Sequence, residues 1–236
     1  MLVNTELCSG DGMCVMYCPT RAIQVLEDEA RILLEDCVEC GVCVRLGVCK
    51  REALTPSDTL PWPRSIRSIL SDPMTEFAET GVTGRGTEEM KTNDVTERFQ
   101  PGRLGIAIDV GRPNVGTTLV EVEKITRALA RMGVAFEQKN PVTFLMADPG
   151  TGALRADVLG ERVMSAVVEF TIDEAVLPAV LRVIADVSPQ VETVFSVGVI
   201  SRVRPDGSIP VVATLARLGY PPRPDAKVNV GLGRRN

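Results

Sequence analysis

Beyond residue 102, apolar and polar positions recur with the periods of regular structure. Arg103–Val110 alternates and reads as a half-buried strand. Thr117 or Thr118 stands where a helix cap belongs. Leu119, Val122, Ile125, Leu129 and Met132 follow at helical spacing, and Gly133 supplies the stop. Thr143–Ala147 and Val163–Thr171 read as strands, separated by the turn signal Asp148-Pro-Gly-Thr-Gly. Asp173 caps a predicted helix to Asp186 that turns Val176, Val180 and Ile184 inward. Val191–Val203 and Ile209–Leu215 read as strands joined by a Pro205-Asp-Gly-Ser hairpin. The order β-α-β-β-α-β with one extra strand predicts an α+β sandwich, with both helices on one face of an antiparallel sheet.

Upstream the pattern changes. Residues 57–101 are rich in Pro, Gly, Ser and Thr and read as a connector, beginning after Pro56 with Pro61-Trp62-Pro63. Within it a short helix is expected from Pro73 to Thr80, with Asp72 as cap, Glu76 in its first turn and Gly81 as stop. Gly84 to Phe99 has no clear period and reads as a linker or an arm that embraces a partner. Four segments result: 1–56, the connector 57–101, the α+β domain 102–220 and a tail 221–236. The tail carries Arg223, Lys227, Arg234 and Arg235 among Pro and Gly.

Composition narrows the chemistry. The 236 residues are 44% apolar and 24% charged, ordinary for a globular chain with room for one large or two small domains. No apolar run approaches the roughly 20 residues of a membrane-spanning helix, and Met1 to Glu6 shows no signal peptide, so a cytoplasmic protein is expected. Histidine is absent, which removes the commonest general base and any imidazole-ligated zinc or haem. The net charge of −5 is concentrated in residues 1–60, with ten acidic and five basic side chains. That acidic front end disfavours nucleic acid and suits a basic partner surface.

All seven cysteines lie between positions 8 and 49. The first group is Cys8-Ser-Gly-Asp11-Gly-Met-Cys14-Val-Met-Tyr-Cys18-Pro19, the second Cys37-Val-Glu-Cys40-Gly-Val-Cys43-Val-Arg-Leu-Gly-Val-Cys49-Lys50. The two superpose at an offset of 29 residues, pairing Cys8 with Cys37, Asp11 with Cys40 and Cys14 with Cys43. Each last cysteine is followed by a similar tail, ending in Ala22-Ile23 and Ala53-Leu54. Two-residue gaps let a chain curl around a cuboidal cluster with its N–H groups toward the sulfides. A disulfide scaffold fits poorly with an odd cysteine count and a cytoplasmic location. A zinc site could use four thiolates, but the repeat and the Cys-Pro pair fit iron and sulfide better.

Over residues 1–56 the chain resembles the bacterial-type two-cluster ferredoxins, whose run is C-x2-C-x2-C-x3-C-P. The resemblance implies that Cys37, Cys40, Cys43 and Cys18 hold one 4Fe–4S cluster. A second site would then use Cys8, Asp11, Cys14 and Cys49. There Asp11 replaces a thiolate, and Cys49 follows Cys43 by six positions without a proline after it. A carboxylate is the harder, weaker ligand for iron, so this centre is expected as a second 4Fe–4S cluster with a labile iron or as a 3Fe–4S cluster.

The later domain resembles the ACT-type regulatory domains, which have a ferredoxin-like βαββαβ fold that implies no iron. The resemblance rests on Asp109-Val-Gly-Arg112-Pro113-Asn114-Val115-Gly116 and a helix ending at Ala128-Leu-Ala-Arg-Met-Gly133. It implies that backbone N–H groups of this turn receive a small ligand's carboxylate at the helix start, and that two copies could pair through the domain. Gly111 and Asn114 stand where that family usually has Asp and Gly.

No nucleophile–base signature or spare cysteine is present, so no catalytic residue is assigned. The expected function is an iron–sulfur subunit that relays single electrons to or from a partner oxidoreductase or a reductively activated enzyme. The alternatives are a redox or oxygen sensor with a ligand-binding ACT-like domain and an enzyme using an open iron at Asp11 as a Lewis acid.

Overall fold

The computed structural model describes residues 1–79, 81–83, 85–86, 99–112 and 115–224. Most of the expected arm from Gly84 to Phe99, the Pro113-Asn114 pair and the tail beyond residue 224 lie outside the described residues.

The cysteine-bearing segment folds as its repeat requires. Strand β1 (Leu2–Val3) and helix α1 (Met13–Met16) precede the hairpin β2 (Ile23–Leu26) and β3 (Glu29–Ile32). Helix α2 (Val42–Arg45) and β4 (Leu54–Thr55) complete it. β1 pairs antiparallel with β4, and β2 with β3. Each helix follows a glycine in the left-handed region, Gly12 at φ 70° and Gly41 at φ 67°, a conformation that costs glycine little. Local bonds repeat as well. Cys8 N–H donates to the Asn4 carbonyl at 3.1 Å, and Cys37 N–H to the Leu33 carbonyl at 3.0 Å.

The expected helix over 73–80 does not form across its described part. Helix α3 instead spans Ser65–Ser71 and buries Ile66, Arg67 and Leu70. Asp72 is extended (ψ 113°), as a residue before proline prefers, and this ends the helix where the sequence reading began one. Its carboxylate caps a turn by accepting the Met74 N–H at 2.9 Å. A small hairpin follows, β5 (Glu76–Phe77) with β6 (Val82–Thr83), and Gly81 serves its turn. Nor is this stretch a free connector. Ile66 and Leu70 are fully buried members of the main core.

That core is built on a four-stranded antiparallel sheet of β7 (Arg103–Val110), β9 (Ala135–Phe136), β13 (Ala166–Asp173) and β14 (Phe195–Ile200), in the order β14-β7-β13-β9. Period-2 alternation puts Leu104, Ile106, Ile108 and Val110 of β7 on one face, beside Ala166, Val168, Phe170 and Ile172 of β13. Helix α4 (Leu119–Ala130) covers that face with Leu119, Val122, Ile125 and Leu129. The 11-residue helix Leu177–Val187 adds Leu177, Val180, Leu181, Ile184 and Val187. Burying each such side chain is worth about 1.5–3 kcal/mol. Val176, expected inside, precedes that helix in a 3-10 turn and is 37% exposed.

The expected caps hold in position only. Thr118 makes no capping bond, because the first amides of α4 are taken by backbone: Leu119 N–H by Glu161 and Val120 N–H by Leu159, both at 3.1 Å. Asp173 makes no capping bond and accepts Arg103 at 2.7 Å instead.

Two expected strands are not strands. Within Thr143–Ala147 the chain closes the helical turn Pro141–Phe144, whose start is capped by Asn140 accepting the Val142 N–H at 2.7 Å. Strand β10 (Met146–Asp148) begins only after it. It turns back through the expected 148–152 loop to β11 (Ala153–Leu154). Within Ile209–Leu215 the chain forms the helix Pro210–Arg217. Proline cannot donate in a strand ladder but fits a helix's first turn, and the period places Val211 in the core with Leu215 and Leu218 packed against it. The turn at 205–208 does form, with Gly207 at φ 80°. The strand expected over 191–203 is confined to β14, where pairing with β7 runs from Phe195 to Ile200.

Candidate metal centre

Each half of the repeat presents its thiols from a glycine-started loop and a short helix. Cys14 and Cys43 sit inside those helices and are buried, while the other five cysteines are partly exposed, and none of the seven is in a disulfide. Cys43 is pushed up to about 11 by burial, and the charges of Cys40, Cys18 and Cys37 act on it in the same direction. Cys14 is also raised by burial, with Cys49, Cys8 and Asp11 as its charged neighbours. The side chains therefore sort into two sets, Cys18 with Cys37, Cys40 and Cys43, and Cys8 with Asp11, Cys14 and Cys49.

The first set lines a single cavity whose walls are otherwise largely apolar, including Ile23, Ile32 and Val38. Burial raises the Cys37 and Cys40 thiols too. Among the described residues no three Cys, Asp or Glu side chains converge as for a single ion. Four thiols spaced around an apolar cavity fit a multi-iron cluster, whose several metals take one thiolate each. Backbone N–H groups already point at sulfur. Ala22 donates to Cys18 Sγ at 3.1 Å and Ala53 to Cys49 Sγ at 3.4 Å, the same bond in the two repeat tails. Ala30 donates to Cys8 Sγ at 3.3 Å. Such donors stabilise negative charge on sulfur.

Asp11 is exposed and held by its own loop. Oδ1 accepts the Met13 N–H and Oδ2 the Ser9 hydroxyl, each at 3.0 Å. The Met13 amide, with Ser9, holds its carboxyl below the ordinary value.

Sequence reasoning missed the shell around the Cys37 loop. Glu39, between two cysteines, is buried in the left-handed region at φ 55°. Its carboxylate takes Arg64 through Nη2 at 2.6 Å and Nε at 3.1 Å, and the Met1 amino group at 2.5 Å. Burial works to raise its pKa, but these two cations more than offset that and leave it lowered. Arg67 Nη1 donates to the carbonyls of Leu34, Glu35 and Cys37 at 2.9–3.0 Å. Its Nε donates to Glu161 of the later domain. Arg45 links the Cys40 carbonyl to Asp72, each at 2.7 Å. Arginines spaced three apart on a polar-looking segment were the one available signal, and it points to no target without the fold.

In the turn at 109–116 the described amides of Gly111, Val115 and Gly116 are already bonded. Val115 and Gly116 donate back to the Gly111 carbonyl, Gly111 donates to Val194, and β8 (Thr117–Thr118) separates the turn from α4. The carboxylate-receiving role expected at that helix start is therefore not available to the amides of Leu119 and Val120. Asp109 faces Arg85 and Arg112, each at 3.5 Å, and burial raises its carboxyl despite both cations.

The family model for a 4Fe-4S binding domain matches residues 1–24, a span that holds Cys8, Asp11, Cys14 and Cys18. No curated protein and no solved structure matches the chain. The match supports a 4Fe–4S-binding, ferredoxin-type domain at the N-terminus and, in general, an electron-transfer role, in a mixed α and β chain. No helix among the described residues is long and apolar enough to cross a membrane.

Proposed function

We propose that the chain is a two-centre electron-relay subunit of an oxidoreductase or a reductively activated enzyme. The observation that carries this reading is the cavity lined by Cys18, Cys37, Cys40 and Cys43, matched in the other half of the repeat by Cys8, Asp11, Cys14 and Cys49. The first set would hold a 4Fe–4S cluster, and the second a 4Fe–4S or 3Fe–4S cluster in which Asp11 is the weak ligand. When bound, such clusters supply reversible one-electron transfer. The chain's own residues would orient the thiolates, offer N–H donors to sulfur, and keep water from the inner cavity through Ile23, Ile32 and Val38.

The later domain fits a ferredoxin-like, ACT-like sandwich. Its sheet order β14-β7-β13-β9, with all neighbours antiparallel, is what two interlocked β-α-β units produce. In this reading it holds the module against a partner subunit or a second copy of the chain. A redox-sensing role is the second reading, favoured by the bonds from Arg67 to both the Cys37 loop and Glu161.

The test is Asp11→Cys in anaerobically prepared protein, followed by iron analysis, electron paramagnetic resonance and redox titration. The outer centre should become a stable four-iron centre while the signal of the Cys37 set stays as it was. If both signals change together, or neither does, the ligand assignment is wrong.

A further inference from the structure

The two repeat halves share a backbone but not an environment. The Asp11 loop is exposed, with Lys50 and Arg51 as its cationic neighbours. The Cys37 loop is gripped from the α3 side by guanidinium groups, and Arg67 is the one that reaches both ways. Its side chain is 6% exposed and that of its partner Glu161 14%. One nitrogen holds three carbonyls of the loop, including that of Cys37 itself, while another meets a carboxylate of the later domain. The field of a guanidinium is weakly screened where water is excluded.

We propose that Arg67 is an electrostatic positioning residue for the cluster of the Cys37 set, favouring its reduced form and passing its charge state to the later domain through Glu161. The inference rests on the reading that Cys18, Cys37, Cys40 and Cys43 hold a cluster. Taking up one electron from a donor adds one negative charge to that cluster. A fixed positive charge beside its loop favours that state, and the Glu161 carboxylate opposes it. By linkage, the reduced cluster strengthens the hold of Arg67 on the loop to the same degree that Arg67 favours reduction. Helix α3 carries Arg67 and is anchored by Ile66 and Leu70 in the main core. A tighter grip on the loop is therefore felt where α3 meets β12 (Arg162–Val163), next to Met164, whose N–H donates to Ser71 at 2.9 Å.

The experiment compares full-length wild type, Arg67→Gln, Arg67→Lys and Glu161→Gln by anaerobic redox titration, with the outer centre's signal as internal control. Arg67→Gln should lower the midpoint potential of the Cys37-set cluster, and Glu161→Gln should raise it. Arg67→Lys, which keeps the charge, should stay nearer wild type than Arg67→Gln. The outer centre should shift less in every variant. Hydrogen exchange of residues 65–71 should be slower in reduced than in oxidised wild type, and Arg67→Gln should abolish that difference. A purely structural role would move both neutral variants the same way by loosening the loop. Shifts of one sign, or none, overturn the proposal. Should Arg67→Gln not fold, the Glu161→Gln shift and the wild-type exchange difference decide it, and the absence of either overturns it. If wild type lacks a cluster that depends on Cys37, shown by iron content unchanged in Cys37→Ser, the site reading fails and takes the proposal with it. A cluster that is present but insensitive defeats the proposal alone.

Discussion

Leu70→Ala tests whether the segment after the cysteine module belongs to the later domain's core. Leu70 and Ile66 are 0% exposed and lie in the same cluster as Ile106, Val163 and Leu177, although all three come from residues far along the chain. Truncating a fully buried leucine removes its transfer free energy and leaves a cavity, for a cost of 2–5 kcal/mol. Near Leu70 the sheet and β12 are held by long-range pairing, so the site collapses little, and we expect about 3 kcal/mol. Met74, four residues on and 74% exposed, is the control; Met74→Ala should stay within about 0.5 kcal/mol of wild type. Denaturant unfolding under anaerobic conditions reads both changes, with far-ultraviolet circular dichroism following the later domain and visible absorbance following the bound iron–sulfur chromophore. The same helix holds the Cys37 loop through Arg67, so cluster absorbance in Leu70→Ala should also be lost at lower denaturant. A loss below about 1 kcal/mol, or one no larger than that of Met74→Ala, would refute the placement of α3 in the core.

Two further outcomes probe the later domain. Gly152 (φ +68°) lies so close to α4 that a Cβ would stand 2.3 Å from the Thr126 carbonyl oxygen, whereas Gly133 (φ +70°) faces open space. Gly133→Ala should therefore cost only the left-handed penalty of about 1–2 kcal/mol, and Gly152→Ala clearly more by thermal unfolding; equal losses would show the contact to be soft. Asp157 accepts Trp62 Nε1 at 2.6 Å and Arg155 at 2.9 Å, and the Arg155 bond, then that of Trp62, lowers its pKa from 3.8. A lowered folded pKa gives stability that is present above 3.8 and lost as pH falls through the folded value. The thermal midpoint of wild type should thus exceed that of Asp157→Asn by the same margin at pH 7 and pH 5, and the margin should shrink only below about pH 4. Disappearance of the margin at pH 5 would exclude this cause.

What the sequence discloses follows the range of the interactions involved. Cysteine spacing is legible because three positions of each candidate ligand set fall in one short loop, so most of that pattern is written locally. The strands β7 and β13 are legible because alternation over eight residues has no competing period. The misread pieces are short apolar stretches next to proline. Val142 to Leu145 and Val211 to Leu215 suit a strand by composition, but Pro141 and Pro210 each stand at a helix start. The 73–80 reading failed for a related reason. Asp72-Pro73 can open a helix or end one, and the burial of Ile66 and Leu70 against distant strands settles it as an end. Glu39 and Arg67 lay beyond sequence reasoning because their partners are 25 to 94 positions away.

The asymmetry between the repeat halves has a readable physical basis at one pair of equivalent positions. Gly10 (φ 65°) in the first half corresponds to Glu39 (φ 55°) in the second. At Gly10 a side chain is barred, since a Cβ would stand 2.3 Å from the Asp28 carbonyl oxygen. The turn of the β2–β3 hairpin fills that space. At Glu39 the space is occupied by the side chain itself, which accepts a left-handed backbone costing about 1–2 kcal/mol. A buried carboxylate bonded to two cations offsets that strain, and one of the cations is Arg64, just ahead of α3. The same repeat position thus closes the outer loop upon its own hairpin and opens the inner loop toward the rest of the chain. That one difference gives two repeated cysteine loops unlike surroundings, one closed on its own hairpin and the other bonded through Glu39 to Arg64 at the start of α3.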